Sequence, residues 1–396
     1  MRPIEAFLGE ETAGGALLFI AALIALVWAN VPGDTYADVW DRMAGAEING
    51  IDLRLTLGRW VNDLLMAVFF FVVGLEIKRE ILSGELSDRR AAALPVAAAL
   101  GGMAVPALLF IAFNAGGDGA SGWGIPMATD IAFAIGALSL LGKRVSPSLK
   151  AFLLALAIVD DIGAIAVIAL FYTDGLSSAW LAAGAGVLAA AGAFSLLNVR
   201  SAPVYALIGL VAWLAIHESG VHATIVGVFM ALILPVRYGE QASHVSAVDN
   251  AEHTLHPWSS YLIVPLFALA NAGVDLGGGA IAGAAASPVS LGIVLALVVG
   301  KPIGITLCSL AAVRAGFAQL PRGVRWAQIL GAGMIAGIGF TVSIFISELA
   351  FTDQALVDEA KIGILAASAF AGIAGYVTLR VVSRAEPVSP DGIASG

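Results

Sequence analysis

Residues 151–173 read AFLLALAIVDDIGAIAVIALFYT, an apolar run long enough to cross a bilayer, with two adjacent carboxylates, Asp160 and Asp161, near its middle. The pair lies ten residues beyond Lys150, about 15 Å along a helix. Ionisable groups at that depth are costly, rare and by default functional. Neighbours on a helix point about 100° apart, so both acids can border one cavity, where their titrations are coupled. Oxygen ligands alone suit a hard cation. Neither the histidines nor Cys308 shows metal-ligand spacing, so no resident cofactor is expected. The bland alternative is a buried pair held by a salt bridge to Lys301.

The rest of the chain has the same texture. Of 396 residues, 59% are apolar and 12% charged, with a mean hydropathy of +0.93, whereas soluble domains are about a quarter charged. Charge-poor runs place about twelve spans, at 12–30, 57–77, 93–114, 120–142, 151–173, 178–199, 202–217, 220–236, 257–274, 288–313, 326–347 and 362–380. The expectation is an all-α membrane protein, one integral membrane domain over 1–396. A net charge of −9 excludes a nucleic-acid partner, and a single cysteine excludes an intrachain disulfide. The first apolar run follows Glu5, Glu10 and Glu11 instead of a basic stretch, so it reads as an uncleaved first span.

Orientation follows from Lys and Arg. One alternate set of connections holds most of them, including Lys78, Arg79, Arg89, Arg90, Lys143 and Arg144. The other holds only Arg42, Arg54, Arg59 and Lys361, with Lys301 inside a span. An even span count with both termini cytoplasmic follows. In the outer connection 31–56, Asn49-Gly50 between alternating residues predicts a small external β-hairpin, whose edge can receive a partner subunit. The tail 385–396 reads as disordered.

Four acids and one base lie well inside spans: Asp63, Asp130, Asp160, Asp161 and Lys301. Hydrocarbon cannot hold that excess of negative charge, so some carboxylates must carry protons or cations. Asp130 follows Pro126 and Thr129 in an interrupted segment, and freed backbone groups there must line a cavity or find partners. The eleventh span carries Gly331, Gly333, Gly337 and Gly339, which fit either a second break or close helix packing. Spans 3–5 and 10–12 run in opposite senses, each with the interrupted segment in the middle. Residues 93–173 and 288–384 therefore read as inverted repeats with two broken helices at a transport site. Asp130 would offset the positive ends of the half-helices and Lys301 the negative ones.

Elsewhere the readings divide. Asn62-Asp63 is a cavity wall or a polar packing pair, and Glu76 with Arg79 fits a salt-bridged helix end. His222 is most simply structural. The run Glu252-His253-Thr-Leu-His256-Pro-Trp258 is an interfacial helix with an aromatic anchor, or a proton sensor.

These motifs together resemble one family. The strings AGG (13–15), FFFVVGLEIKRE (69–80), PMATDIAF (126–133), LAIVDDIG (156–163), GVHAT (220–224), LHPW (255–258), NAGV (271–274), GKPIG (300–304) and GIGFT (337–341) are similar to those of the NhaA family of bacterial sodium/proton antiporters, in family order over about residues 4–380. That family is itself an instance of the inverted-repeat rule. The resemblance implies exchange of sodium or lithium for protons by alternating access, pH-regulated and electrogenic, in the inner membrane, as a homodimer through the outer hairpin. It implies that Asp161 is the principal ion and proton ligand, with Asp160 as partner. Thr129, Asp130 and Lys301 would compensate charge at the broken helices. Asp63, Glu76, Arg79, His222, Glu252 and His253 would serve a cytoplasmic funnel or pH sensing. One departure is Leu64, where the family often has glycine.

Overall fold

In a computed structural model, residues 2–48, 51–173, 175–197, 199, 201–235 and 247–383 are described. The hairpin turn Asn49-Gly50 and the tail 385–396 lie outside them. The described chain is mostly helical, and its arrangement of charge is the inverse of a soluble protein's. Large apolar side chains such as Phe19, Leu108, Leu170 and Leu207 are more than half exposed, while Asp130, Asp160 and Lys301 are buried at 2% or less. A bilayer makes that arrangement stable, and the chain is a multi-pass membrane protein.

The chain begins with α1 (Arg2–Ala29) and the short α2 (Thr35–Trp40). The connection then forms two small antiparallel ladders. β1 (Met43–Ala44) pairs with β4 (Leu55–Thr56), and β2 (Glu47–Ile48) with β3 (Ile51–Asp52), in the register Ile48 opposite Ile51. The expected hairpin is thus present but interrupted at Gly45, whose φ of 114° only glycine adopts easily.

Next come α3 (Leu57–Ser83), α4 (Arg89–Asn114), a 3₁₀ segment (Asp118–Met127), α5 (Ile131–Leu140), α6 (Pro147–Phe171), α7 (Ser178–Leu196), α8 (Ala202–His217) and α9 (Ile225–Ile233). The second half holds α10 (Ala247–Trp258), α11 (Val264–Asn271), α12 (Ala280–Ala286), α13 (Pro288–Arg314), α14 (Trp326–Ala336), α15 (Phe340–Ala350) and α16 (Gln354–Val382). The helices α3, α4, α6, α7, α13 and α16 are each long and apolar enough to span a membrane. The 3₁₀ segment with α5 and α14 with α15 form two bent pairs, and two shorter apolar helices, Ala13–Ala29 and α8, add to these.

One expected span takes a different form. Among its described residues, 220–235, the expected eighth span is helical only over the nine residues of α9, about 13 Å of rise, because Gly220 at φ 80° and a run of tight turns occupy the preceding segment. What α9 lacks in length it makes up in intimacy with α3. A Cβ on Gly227 would lie 2.0 Å from the Ala67 carbonyl oxygen, so only glycine permits that approach.

Among the described residues, three π-helical turns interrupt otherwise regular helices, at Val61–Leu65 in α3, Ser259–Ile263 between α10 and α11, and Ala296–Gly300 in α13. Such turns rotate the side chains that follow them and recur at functional positions. The third sits immediately before Lys301. We call the two ends of the molecule the hairpin end, where α3 starts, and the Arg79 end, where it finishes.

Candidate functional site

The two bent pairs cross in the interior, with bends of 46° and 48° at breaks spanning residues 128–130 and 337–339. Their half-helices leave amides and carbonyls without intrahelical partners, and buried side chains meet that need. Asp130 is the N-cap of α5 and accepts from the Phe133 amide at 3.1 Å. Its other oxygen accepts from the Thr341 amide at 3.1 Å and the Thr341 hydroxyl at 2.6 Å, at the start of α15. One carboxylate therefore caps two helix N-termini, where partial positive charge collects. The breaks are also joined directly, through the Asp130 amide donating to the Ile338 carbonyl at 2.7 Å.

Lys301 serves the opposite polarity. Its Nζ donates to the Met127 carbonyl at the end of the 3₁₀ segment and pairs with Asp160 Oδ2 at 3.0 Å. Thr129 Oγ1 lies 2.8 Å from Asp160 Oδ2 and 3.0 Å from the carbonyl of Ala336, the last residue of α14. A hydroxyl has one proton, so Thr129 donates to one of these at a time. With Asp160 ionised it donates to the carboxylate. With Asp160 protonated it can accept from the acid and donate to Ala336. The state of Asp160 is thereby coupled to the second break.

Asp160 and Asp161, both on α6, are 0% and 4% exposed. Yet Oδ1 of each has no hydrogen-bond partner. A buried carboxylate oxygen in that condition loses hydration without replacement, unless a proton or cation supplies it. The two acids differ in access. Asp161 helps to line a cavity of about 60 Å³ with Thr129, Asp130, Glu76 and His256, and Asp160 stands behind that wall. One water needs about 10–15 Å³ of such space, so a small ion and some of its hydration fit.

Glycines set the close approach behind the acids. A Cβ on Gly101 of α4 would lie 2.2 Å from the Gly304 carbonyl oxygen, and one on Gly304 of α13 would lie 2.1 Å from the Gly101 oxygen. This reciprocal backbone contact packs α13 against α4 three residues past Lys301.

Of the remaining sequence candidates, some are brought together and others separated. At the Arg79 end, Glu76 faces His256 at 3.6 Å, and Arg79 is ion-paired with Glu252. The side chain of His253 lies outside the described residues. Asp63 and His222 are not part of this group. Asp63 sits thirteen residues before Glu76 on α3, about 20 Å away along the helix, and lies 3.8 Å from His217 at the hairpin end. His222 is half-buried near the turn that follows α8, its Nδ1 3.3 Å from Thr224 Oγ1. Asp63, on α3, thus stands with His217, apart from Glu76, Arg79 and Glu252, and His222 lies edge-on to Phe345.

Sequence reading gave His217, Thr341 and Ser343 no role and did not pair Asn62 with Asn271. Thr341 had a signal, being a hydroxyl residue directly after a glycine-rich break, where a helix start needs partners. His217 and the two asparagines pair with residues 150 or more positions away and had none.

Buried acids and one lysine at the crossing of two broken helices, inside a multi-pass membrane protein, define a secondary transporter rather than an enzyme. The chain belongs to the Na+/H+ antiporter 1 family, whose sequence pattern matches residues 5–379. It is 48% identical over 385 residues to the Na(+)/H(+) antiporter NhaA of Cronobacter sakazakii, covering 96% of this chain and 98% of that one. It is 46% identical to Na(+)/H(+) antiporter NhaA 3 of Frankia alni over 97% of this chain and 90% of the relative. To the Na(+)/H(+) antiporter NhaA of Escherichia coli O139:H28 it is 46% identical, over 97% and 99%.

Proposed function

We propose that the protein exchanges sodium, or lithium, for protons across a bacterial inner membrane by alternating access, with Asp161 as the principal ligand and Asp160 as its partner. The observation that carries this reading is the unpartnered Oδ1 of each buried acid, with Asp161 on the wall of the interior cavity. A sodium ion there would take oxygens from both acids, from backbone carbonyls freed at the breaks, and from water. Protons and the ion compete for the same oxygens, so each flux drives the other. More protons than sodium ions cross per cycle, because binding one cation between two ionised acids displaces a proton from each, and the cycle is electrogenic. Asp130 and Lys301 keep the crossing neutral as the half-helices move.

The reading includes twelve spans, with α9 and the α10–α11 unit added to the long, bent and shorter apolar helices. Residues 93–173 and 288–384 form inverted repeats. The straight–bent–straight order of α4, the first bent pair and α6 recurs in α13, the second bent pair and α16, and supports this. Both termini are cytoplasmic, the hairpin faces outward and forms the homodimer contact, and the Arg79 end is the cytoplasmic funnel. There the Glu76–His256 and Arg79–Glu252 pairs regulate transport with pH.

The test is Asp161→Asn in everted vesicles. Sodium- and lithium-driven proton movement is lost, while the protein remains folded and in the membrane. Retained exchange would refute the assignment.

A further inference from the structure

Tyr172 lies one residue past the end of α6, the helix that carries Asp160 and Asp161. Its phenol spends both of its hydrogen-bonding functions on the first broken helix. The hydroxyl accepts from the Gly124 amide at 3.1 Å and donates to the Ser121 carbonyl at 2.8 Å, both in the 3₁₀ segment 118–127. Beside it, the rings of Phe171 and Trp123 meet edge to face at 5.0 Å. The two aromatic residues that close α6 therefore grip Trp123 and Gly124 of the segment. Glycine makes the grip possible. A Cβ on Gly124 would lie 2.7 Å from the phenol oxygen, 3.1 Å from the ring and 3.2 Å from Val167 Cγ1.

The segment thus meets α6 at two places. The outer one is Gly124, against Val167 and the phenol. The inner one is its far end, where Lys301 joins the Met127 carbonyl to Asp160 and Thr129 hydrogen-bonds Asp160 Oδ2. The spacings agree. Val167 is seven residues from Asp160, about 10 Å of α-helix. Gly124 is five residues from Thr129, about 10–13 Å for three residues of 3₁₀ rise and two extended ones. Two attachments at matched spacing make a rigid frame, whereas one alone leaves a hinge. The inner attachments are made by groups that an arriving ion must disturb. The outer one has no such duty, since a phenol keeps its proton below about pH 10 and its partners here are backbone.

We propose that Tyr172 is a positioning residue for ion exchange: its hydroxyl holds α6 and residues 118–127 as one body, and so sets where the Met127 carbonyl and Thr129 stand relative to Asp160. Among the described residues, no other side chain in the outer half of α6 hydrogen-bonds to the segment. The tie to α15 is different, being made twice, by Ser343 to the Ile125 carbonyl and by the Ser121 hydroxyl to the Ala350 carbonyl. Loss of one bond there is covered by the other. Loss of the phenol oxygen is not covered.

The inference rests on the proposed exchange at Asp160 and Asp161, and one arm of its test does not. Tyr172→Phe keeps the ring and removes only the two hydrogen bonds. In reconstituted vesicles the apparent KM for sodium rises about fivefold, with the maximal rate within about twofold, because the site is assembled for less of the time. Gly124→Ala displaces the hydroxyl from the other side and shifts KM in the same direction. Thr173→Val, which removes a hydroxyl that donates within its own helix to Ala169, leaves KM unchanged. In detergent, amide hydrogen exchange over residues 118–127, followed by mass spectrometry, accelerates about tenfold in Tyr172→Phe. A lower maximal rate with unchanged KM would reduce the phenol to a structural clamp and overturn the proposal. Unchanged amide exchange in the segment would overturn it as well. A wild type without sodium/proton exchange would sink the proposed function, and the amide rates would still show whether the phenol holds the segment.

Discussion

At the crossing, the break over residues 128–130 and the break over 337–339 bend their helices by nearly equal angles from different chemistry. The first reads Ala-Thr-Asp after Pro126 and contains no glycine. The second reads Gly-Ile-Gly and contains nothing ionisable. The first supplies the charge and the hydroxyl. The second supplies the Ala336 and Ile338 carbonyls, the Thr341 amide and the room for them. Two breaks with charge in both would bury repelling acids. Two breaks with only glycine would leave the half-helix termini without counter-charge. The asymmetry lets a single carboxylate serve both helices.

If that division is right, the largest loss falls on Asp130. Asp130→Ala removes the acceptor of the Phe133 and Thr341 amides together, and two buried donors without partners cost about 2–6 kcal/mol. The melting temperature in detergent should fall sharply and exchange should be lost. Asp130→Asn keeps one acceptor oxygen and should lie between. Equal stability of Asp130→Ala and wild type would break the comparison.

Next in size is Thr129. Thr129→Val keeps the shape and removes the proton shared between Asp160 and Ala336, a hydrogen bond to a charged group worth about 1.5–3 kcal/mol. Apparent sodium affinity should shift more than tenfold in fluorescence-monitored exchange, with Thr129→Ser close to wild type. A Ser variant as impaired as Val would show that the methyl group, not the hydroxyl, matters.

On the second break the effect should come from space. A Cβ on Gly337 would meet the Leu297 carbonyl oxygen at 2.5 Å and Ala371 Cβ at 3.1 Å, so Gly337→Ala forces backbone movement at about 1–3 kcal/mol. The readout is thermal stability together with turnover. A Gly337→Ala protein with both unchanged would mean that the glycines there serve general packing only.

The same contrast explains what could be read from sequence. The acids at 130, 160 and 161 and Lys301 stood out because charge in hydrocarbon needs a reason, and the structure brings all four to one crossing. The hairpin was readable from Asn49-Gly50 between alternating residues, and its strands pair Ile48 with Ile51. Glycines carried a weaker signal, because a break and a tight helix contact leave the same letter. In this chain Gly337 and Gly339 lie in the break, while Gly331 packs against Leu379 and Gly333 against Pro302. Asp63 and His222 were offered with Glu76, Arg79, Glu252 and His253 for a cytoplasmic funnel or pH sensing, and in the structure Asp63 stands beside His217 and His222 beside Phe345. Nothing local to residues 217–224 indicates that their turns bring His217 to Asp63. The pairing of Asn62 with Asn271 was illegible for the same reason, the two being separated by 209 residues.

The finest probe of the comparison is Ser343, where the two breaks touch without charge. Its Oγ donates to the Ile125 carbonyl of the 3₁₀ segment at 2.7 Å, and both residues are fully buried. Ser343→Ala leaves that carbonyl unpaired and should cost about 1 kcal/mol, read as a small fall in melting temperature with turnover retained. A Cβ on Gly339 would lie 2.2 Å from the same Oγ. Gly339→Ala alone should therefore displace Ser343 and lose the hydrogen bond while adding strain. In the Ser343→Ala background the nearest obstacle is gone, and the second substitution should cost less than it does in wild type. Neighbouring sites that share one contact couple by about 0.5–3 kcal/mol, so a double-mutant cycle on these two residues should be clearly non-additive. Additive losses would mean that the glycine yields to something other than the serine, and that the second break is shaped by its own helix rather than by the first.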